Sequence, residues 1–260
     1  MKKIVLFCMS VCVFLAIIGV CGVLTPKGGD TGTAEPSGGN AEIAGPSAEE
    51  KLEHIRTSGD YPECFVETAE KCPQTIDYVY NYPLLKDKIF AIDLSAEAHS
   101  RSVPLFIQWD ERWGYEPYGA GFIGTCGCGP TCLSMAAVYL TKNAEYSPLY
   151  VARMAELNGY CVPGNGSTWT LISEGGALLG LSVRELPLWE QAMKNALDGG
   201  AVLILALGPG DFTASGHFIV VTGYTDLGFS VNDPNSRENS AAVWSYERLS
   251  AQISNLWSLS

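Results

Sequence analysis

The chain has 260 residues, of which 16 are lysine or arginine and 28 are aspartate or glutamate, for a formal net charge of −12. The only basic cluster in the sequence is Lys2-Lys3, so we expect no nucleic-acid partner, whereas a cationic peptide would be attracted electrostatically. Beyond the N-terminal segment, about 235 residues remain, which is enough for one domain with a large core and a smaller extension.

The N-terminus has the pattern of an export segment. Lys2-Lys3 precede an apolar stretch from Ile4 to Leu24 that is long enough to span a bilayer, and positive charge on this flank keeps it cytoplasmic. Residues 1–25 are therefore predicted to be a signal-anchor or a signal peptide. The protein would lie at the cell membrane with its remainder outside, or be secreted if the segment is cleaved. Cleavage stays open, because Cys21 only loosely fits a lipoprotein processing site.

A linker and a helical extension are predicted next. Residues 26–46 are rich in Gly, Ser, Ala and Pro without apolar periodicity, which indicates a flexible linker. Ser47 and Glu50 then form a capping box that opens a helix toward Arg56. Between Tyr61 and Asn81 the proline spacing predicts short amphipathic helices. They are too small for a core of their own, so the extension, residues 47–100, is expected to pack against residues 101–260.

A cysteine bracketed by glycines opens an apolar run at Gly127–Thr131. Pro130 suits the first turn of a helix, which places Cys128 at or just before the helix N-terminus. Unpaired amides and the positive dipole end at that position stabilise a thiolate, the form a cysteine nucleophile needs. We expect Gly127 and Gly129 to leave the sulfur uncrowded. The alternative is a buried cysteine with a packing role.

One histidine is placed to act as a base. His54 and His99 lie in polar stretches and are expected at the surface, whereas His217 opens a β-branched run that reads as a buried strand. A turn follows, and the return strand Phe229–Asn232 ends at Asp233. The start of one hairpin strand lies beside the end of its partner, so a residue near Asp233 can orient the imidazole.

These residues resemble the papain-like cysteine peptidases, and specifically the bacteriocin-leader-processing family (cysteine peptidase family thirty-nine) and its stand-alone secreted relatives. Four blocks carry the resemblance, in the family's order: Val103–Trp113, Gly127–Thr131, Gly216–Tyr224 and Asn232–Pro234. The resemblance implies a papain-like fold and peptidase activity, with Cys128 as nucleophile, His217 as base, Asp233 as orienting residue and Gln108 as oxyanion-hole donor. Gln108 lies farther before the cysteine than is usual in papain-like enzymes.

Strand alternation leaves the orienting residue open. A simple hairpin that pairs Tyr224 with Phe229 places Asn232, rather than Asp233, on the face of His217. Asp233 needs an odd-length loop or a bulge, which Gly228 would permit. The resemblance favours Asp233, and Asn232 remains its rival.

The remaining cysteines and aromatic residues have simpler interpretations. Cys64 and Cys72 lie too far apart on a continuous helix for a disulfide, and Cys132 is expected to be a packing residue. A zinc site formed by Cys126, Cys128, Cys132 and His217 is an alternative, but its spacing matches no common zinc pattern. The aromatic residues from Trp109 to Tyr118 either line a substrate groove or cover a core.

The fold is predicted to be α+β, of the papain-like kind, with the cysteine helix packed on an antiparallel sheet. Helices are expected at Leu188–Leu197 and Tyr246–Ile253 and a strand at Ala201–Leu207, with Leu256-Trp257 closing the sheet. The function predicted is hydrolysis of peptide or protein substrates through a Cys-His-Asp triad, without cofactor or metal. The alternatives are an amidase or transferase acting on cell-wall peptides, or a catalytically silent peptide-binding module.

Overall fold

The helical extension begins where the sequence predicts it. The computed structural model describes residues 45–260, so the predictions for residues 1–25 and for nearly all of the linker 26–46 lie outside the described residues. Ser47 Oγ accepts from the Glu50 amide at 3.2 Å, and Glu50 Oε2 accepts from the Ser47 amide at 2.7 Å. This capping box confirms the predicted start of the first helix. The helices of the extension are α1 (Ala48–Thr57), α2 (Glu63–Lys71), a 3-10 helix (Pro73–Thr75), α3 (Ile76–Tyr80), α4 (Tyr82–Leu85) and α5 (Ser95–Ala98).

The extension has a small hydrophobic cluster of its own, to which Tyr115 of the following segment also contributes, so the expectation that it lacks a core is wrong, although it does pack against residues 101–260. Phe65 and Val79 are fully buried in a cluster that also contains Tyr115, and the Tyr78 ring stacks on Tyr115 with centroids 4.5 Å apart. Aromatic burial of this kind stabilises each contact by about 0.5–1.5 kcal/mol beyond its area term. The short helices are therefore held by the segment that follows them in sequence.

The aromatic side chains between Trp109 and Tyr118 are divided between two hydrophobic clusters: that of the extension and that around the cysteine helix. Trp113 and Tyr118 are fully buried, and Tyr115 is 6% exposed. The substrate-groove interpretation is wrong for these three side chains, because their rings fill the space between the extension and the following helices. Trp109 is half-buried, and its indole N–H donates to the carbonyl of Asn235 at 3.2 Å.

A six-stranded antiparallel sheet forms the centre of the described residues. The strands are β1 (Pro117–Tyr118), β2 (Gly121–Phe122), β3 (Cys161–Val162), β4 (Gly166–Ser167), β5 (Val183–Glu185), β6 (Val202–Leu207), β7 (His217–Thr225), β8 (Gly228–Asn232), β9 (Val243–Trp244) and β10 (Ile253–Leu259). The large sheet has the strand order β5-β10-β6-β7-β8-β9. Two-stranded sheets join β1 with β2 and β3 with β4.

Helices cover both faces of the sheet. Along β6, Ile204 and Ala206 pack with the cysteine-bearing helix, whereas Leu203 and Leu205 pack with Met193 on the opposite face. The whole of β6 is buried, as expected for a central strand. This arrangement confirms the α+β class with an antiparallel sheet. The helices that follow the extension are α6 (Ile123–Cys126), α7 (Cys128–Thr141), α8 (Pro148–Leu157), α9 (Thr170–Ser173), α10 (Gly175–Leu178), α11 (Glu190–Asp198), α12 (Arg237–Ala241) and α13 (Tyr246–Ser250).

The C-terminal region differs from the sequence prediction. The helix expected over Tyr246–Ile253 ends at Ser250, and Ile253–Leu259 form β10 between β5 and β6, so that Leu256-Trp257 lie inside the sheet instead of closing it. The apolar spacing is compatible with a helix, but pairing with β6 supplies a ladder of hydrogen bonds and a buried position that a longer helix would lose. Among residues 45–260, no helix combines the length and apolar character needed to cross a bilayer.

Candidate active site

Cys128 is the first residue of α7, at the position the sequence predicts. The glycines on either side have a different purpose from the one expected. A Cβ at Gly127 would lie 2.5 Å from the carbonyl oxygen of Ile123, and one at Gly129 would lie 2.5 Å from Ser167 Oγ. The glycines therefore allow α7 to approach α6 and β4 closely, which fixes the helix N-terminus that carries the thiol.

The environment of Cys128 favours its thiolate. Burial would raise the pKa of this thiol, but a hydrogen bond and positive charge from His217 act in the opposite direction, as do backbone hydrogen bonds from Phe218 and Gly129. The balance lowers the pKa of Cys128 below its ordinary value of 9.0. Cys128 as a whole residue is partly exposed.

The neighbouring thiols behave as packing groups. Burial raises the pKa of Cys126 to about 11, and its Sγ donates to the carbonyls of Tyr118 and Phe122 at 3.4 Å. Cys132 is buried and donates to the carbonyl of Phe218 at 3.2 Å, with its pKa raised well above the ordinary value by burial. These thiols have partners other than a metal, and within residues 45–260 no group of three or more His, Cys, Asp or Glu side chains could hold a metal ion.

His217 and Asp233 form a buried pair. His217 Nε2 lies 2.7 Å from Asp233 Oδ1, and the two residues are 8% and 1% exposed. Burial would lower the pKa of His217, but the charge and hydrogen bond of Asp233, together with Cys128, raise it to about 10. With Nε2 held by the carboxylate, Nδ1 is the ring nitrogen left for the Cys128 thiol. The lowered pKa of Cys128 and the raised pKa of His217 both favour the thiolate–imidazolium form of this pair.

A bulge in β7 places Asp233, and not Asn232, on the side of the sheet that His217 faces. The turn pairs Tyr224 with Phe229 as the sequence suggests, but the register then shifts at Thr222, so that Val220 lies opposite Asn232. Asn232 is thereby placed on the face of Val220, and Asp233 on that of His217. The extra residue is Thr222 in β7, not Gly228 at the turn.

Asn232 has a different set of partners. Its Nδ2 donates to the carbonyls of Val103 and Pro104 at 3.3 Å and 2.9 Å. It therefore holds the segment before Gln108 against β8 and does not contact the imidazole pair. This placement makes Asn232 the matched control for any change at Asp233.

Sequence reasoning missed a residue that holds the Asp233 carboxylate. Asn239 Nδ2 donates to Asp233 Oδ2 at 2.8 Å, and the Asn235 amide donates to Oδ1 at 2.8 Å. Three donors, including His217, thus satisfy a carboxylate that is almost fully buried. The available signal was local: Ser236 caps α12 by accepting from the Asn239 amide at 3.1 Å, which is a helix-start pattern directly after Asp233.

Gln108 is brought to α6, the helix directly before the one that carries Cys128, in spite of its distance in sequence. The intervening chain folds back through β1, β2 and α6, and Gln108 Nε2 donates to the carbonyl of Gly124 at 3.1 Å. The backbone N–H of Gln108 donates to the carbonyl of Pro234, the residue after Asp233, at 2.7 Å. The side chain is 4% exposed and its Oε1 has no hydrogen-bond partner. One N–H of the carboxamide remains for another acceptor.

Comparison with known proteins agrees with the resemblance seen in the motifs. Residues 100–259 match the model of the Peptidase_C39 like family. The peptidase domain of Streptococcus ComA, a bi-functional ABC transporter involved in a quorum sensing pathway, is 22% identical, with 61% of this chain and 98% of that chain covered and a TM-score of 0.44. A putative C39-like peptidase from Bacillus anthracis is 16% identical, with 65% and 96% covered and a TM-score of 0.37.

No curated protein matches the chain. The family model nevertheless covers more than half of it, and the matched segment contains Cys128, His217, Asp233 and Gln108. The resemblance predicted from the motifs is thereby confirmed, and the chain belongs to the Peptidase_C39 like family.

Proposed function

We propose that the protein is a cysteine peptidase that cleaves peptide bonds through Cys128, His217 and Asp233. The observation that carries this proposal is the combination at the start of α7: a partly exposed cysteine whose pKa is lowered by His217, and an imidazole whose own pKa is raised to about 10 by Asp233. Perturbed pKa values of this kind cluster at catalytic sites.

The chemistry follows from where the protons reside. The Cys128 thiolate attacks the carbonyl carbon of the scissile bond, and the oxygen becomes an oxyanion. The His217 imidazolium then gives its proton to the leaving amine, the carbon–nitrogen bond breaks, and a thioester remains. Neutral His217 next removes a proton from water, which attacks the thioester. The acid is released, and Cys128 returns to its thiolate with the proton on His217.

The oxyanion would be held by two donors. The Cys128 amide is at the N-terminus of α7, where an N–H has no partner within the helix. The free N–H of the Gln108 carboxamide is the second donor. Its hydrogen bond to Gly124 fixes the amide before substrate arrives, which is the preorganisation that makes such a donor effective.

The proposal can be tested without knowing the substrate. The protein is treated with iodoacetamide over a pH series, and the modified cysteines are quantified by peptide mass spectrometry. Cys128 should react fastest at neutral pH, and Cys128→Ser should abolish this fast phase, whereas Cys161→Ser, which changes another partly exposed cysteine, should leave it intact. Equal reactivity of Cys128 and Cys161 would refute the assignment of the nucleophile.

Turnover distinguishes a peptidase from the other activities of this thiol. A peptide mixture incubated with wild type should give new N-termini and free acids, and Cys128→Ser should give none. Products joined to an added amine would indicate a transferase, and the absence of both fast Cys128 labelling and turnover would indicate a silent binding module. The net charge of −12 favours cationic peptides in the mixture, with cleavage that weakens as salt rises.

An extracytoplasmic location is part of the proposal and rests on the sequence alone. Lys2-Lys3, the apolar stretch from Ile4 to Leu24 and the linker after it support export of the remaining chain. Protease treatment of intact cells should remove residues 45–260. Full-length protein that stays protected would contradict this topology, and mass analysis of the mature N-terminus would tell an anchor from a cleaved segment.

A further inference from the structure

The helical extension contacts the loop that carries Asp233. Gln74, in the 3-10 helix after α2, makes two hydrogen bonds to that loop: its Nε2 donates to Ser236 Oγ at 3.1 Å, and its Oε1 accepts from the Arg237 amide at 3.1 Å. Cys72, two residues earlier, contributes a weaker contact from its thiol to the Asn235 carbonyl. The extension residues from 45 to 99 precede the segment matched by the family model, residues 100–259.

These contacts continue to the carboxylate. Ser236 Oγ, which accepts from Gln74, also accepts from the Asn239 amide and so caps α12. The Asn239 side chain in turn donates to Asp233 Oδ2 at 2.8 Å. Gln74 thus fixes the first turn of the short helix that aims Asn239 at Asp233, and a two-point contact of this kind restricts both the position and the rotation of the loop.

The extension also touches the opposite side of the candidate site. The buried Tyr78 hydroxyl lies against Gly124, where it leaves no room for a side chain. The carbonyl of Gly124 is the acceptor that holds the Gln108 carboxamide. Residues of the extension therefore lie behind both the proposed oxyanion donor and the carboxylate.

We propose that Gln74 is a positioning residue for Asp233, and that the helical extension contributes to the active site by holding the loop that carries Asp233. The proposal rests on the function proposed for Cys128, His217 and Asp233. Gln74 acts through the loop, because its contacts are to Ser236 and Arg237.

A change at Gln74 should therefore shift the pKa values of His217 and Cys128. If the loop loosens, the Asp233 carboxylate holds the imidazolium less well, so the pKa of His217 falls. The imidazolium then stabilises the thiolate less, so the pKa of Cys128 rises. A rise of half to one pH unit in the Cys128 titration lowers the thiolate fraction on its acid side by about 3- to 10-fold.

The test compares three variants of the full chain by the pH dependence of iodoacetamide alkylation at Cys128. Gln74→Met keeps the size of the side chain but removes both hydrogen bonds, and we expect its acid limb to move to higher pH, with alkylation about 3- to 10-fold slower there. Gln74→Glu keeps an acceptor for the Arg237 amide and an acceptor for the Ser236 hydroxyl, so its profile should return toward wild type. Gln191→Met, at an exposed glutamine bonded to Asn195, is the matched control and should leave the profile unchanged.

A structural role for Gln74 would give a different result. Loss of folded protein lowers the amount of Cys128 that reacts but does not move the pH at which it titrates. Superimposable profiles for Gln74→Met and wild type, or a lower amplitude with the same midpoint, would overturn the positioning role. If Gln74→Met does not fold, Ser236→Ala, which removes the hydroxyl between Gln74 and Asn239, must show the same shift. A wild-type Cys128 that titrates like an ordinary thiol would instead refute the proposed function.

Discussion

Replacement of Asp233 by asparagine tests the central pair of the site most directly. The side chain keeps its size and can still form hydrogen bonds, but it loses its charge. In the native protein three donors converge on the carboxylate: His217 Nε2 and the Asn235 amide on Oδ1, and Asn239 Nδ2 on Oδ2. In Asp233→Asn the new amide group must face at least one of these donors, so one hydrogen bond becomes a repulsive contact.

The size of the effect can be worked from His217. A pKa of about 10 in place of 6.5 corresponds to a preference of about 5 kcal/mol for the imidazolium. Asp233, by charge and hydrogen bond, is the leading cause that raises this pKa, ahead of Cys128. If Asp233→Asn removes about half of this preference, the imidazolium is destabilised by about 2–3 kcal/mol, and we expect turnover to fall on the order of 100-fold. Misorientation of the ring would extend the loss of turnover toward 10⁴-fold.

Peptide turnover and the pH dependence of Cys128 alkylation both report the effect of Asp233→Asn. Peptide turnover by Asp233→Asn should fall by the factor given above, and alkylation of Cys128 should require a higher pH, because the thiolate loses part of its counter-charge. Circular dichroism should show a folded protein in each case. Asn232→Ala is the control: it removes the hydrogen bonds to Val103 and Pro104, which costs about 1–3 kcal/mol of stability, but should leave the alkylation midpoint unchanged. Turnover that survives Asp233→Asn and collapses in Asn232→Ala would refute the assignment.

Three further predictions concern stability. Gly129→Ala places a methyl group against Ser167, so we expect a loss of about 1–3 kcal/mol in urea unfolding; an unchanged midpoint would show that β4 moves freely. In Cys128→Ser protein, where no thiol titrates beside the imidazole, we expect the charge and hydrogen bond of Asp233 to keep the pKa of His217 above 6.5. The contribution of the His217–Asp233 pair to folding stability should be fully present below pH of about 6.5 and be lost as pH rises through the folded pKa of His217, at or below about 10. The urea midpoint should therefore fall over that pH range, and a rise would contradict the proposed pair. Ser47→Ala should cost α1 about 0.5–2 kcal/mol, seen as faster amide exchange in its first turn than in α11.

The sequence determined the local features of the site. Pro130 and the apolar run after it specify a helix, and the β-branched run after His217 specifies a buried strand, because propensity and side-chain period act over a few residues. The capping box at Ser47 belongs to the same class. Each of these elements forms at its predicted place, and the four motif blocks were enough to indicate the family that the comparison confirms.

The features that depend on strand register were left open. Asp233 and Asn232 are adjacent, and only the bulge at Thr222 places the carboxylate on the side of His217. A one-residue shift reverses which side chains face the imidazole, and its energy depends on both strands and on the helices packed against them. The short apolar stretch of β10 was ambiguous for the same reason, since pairing with β6 decides between strand and helix.

The tertiary structure alone decided how residues from distant segments meet at the site. It added Gln74, which approaches the Asp233 loop from the extension, and it shows how Gln108, indicated only by the family resemblance, reaches Gly124 through a folded hairpin. Neither contact follows a helical or strand period, because each joins segments that lie apart in the sequence. The sequence by itself indicated Cys128, His217 and the elements that carry them, and the packing of those elements determined how the two side chains are oriented, charged and supported.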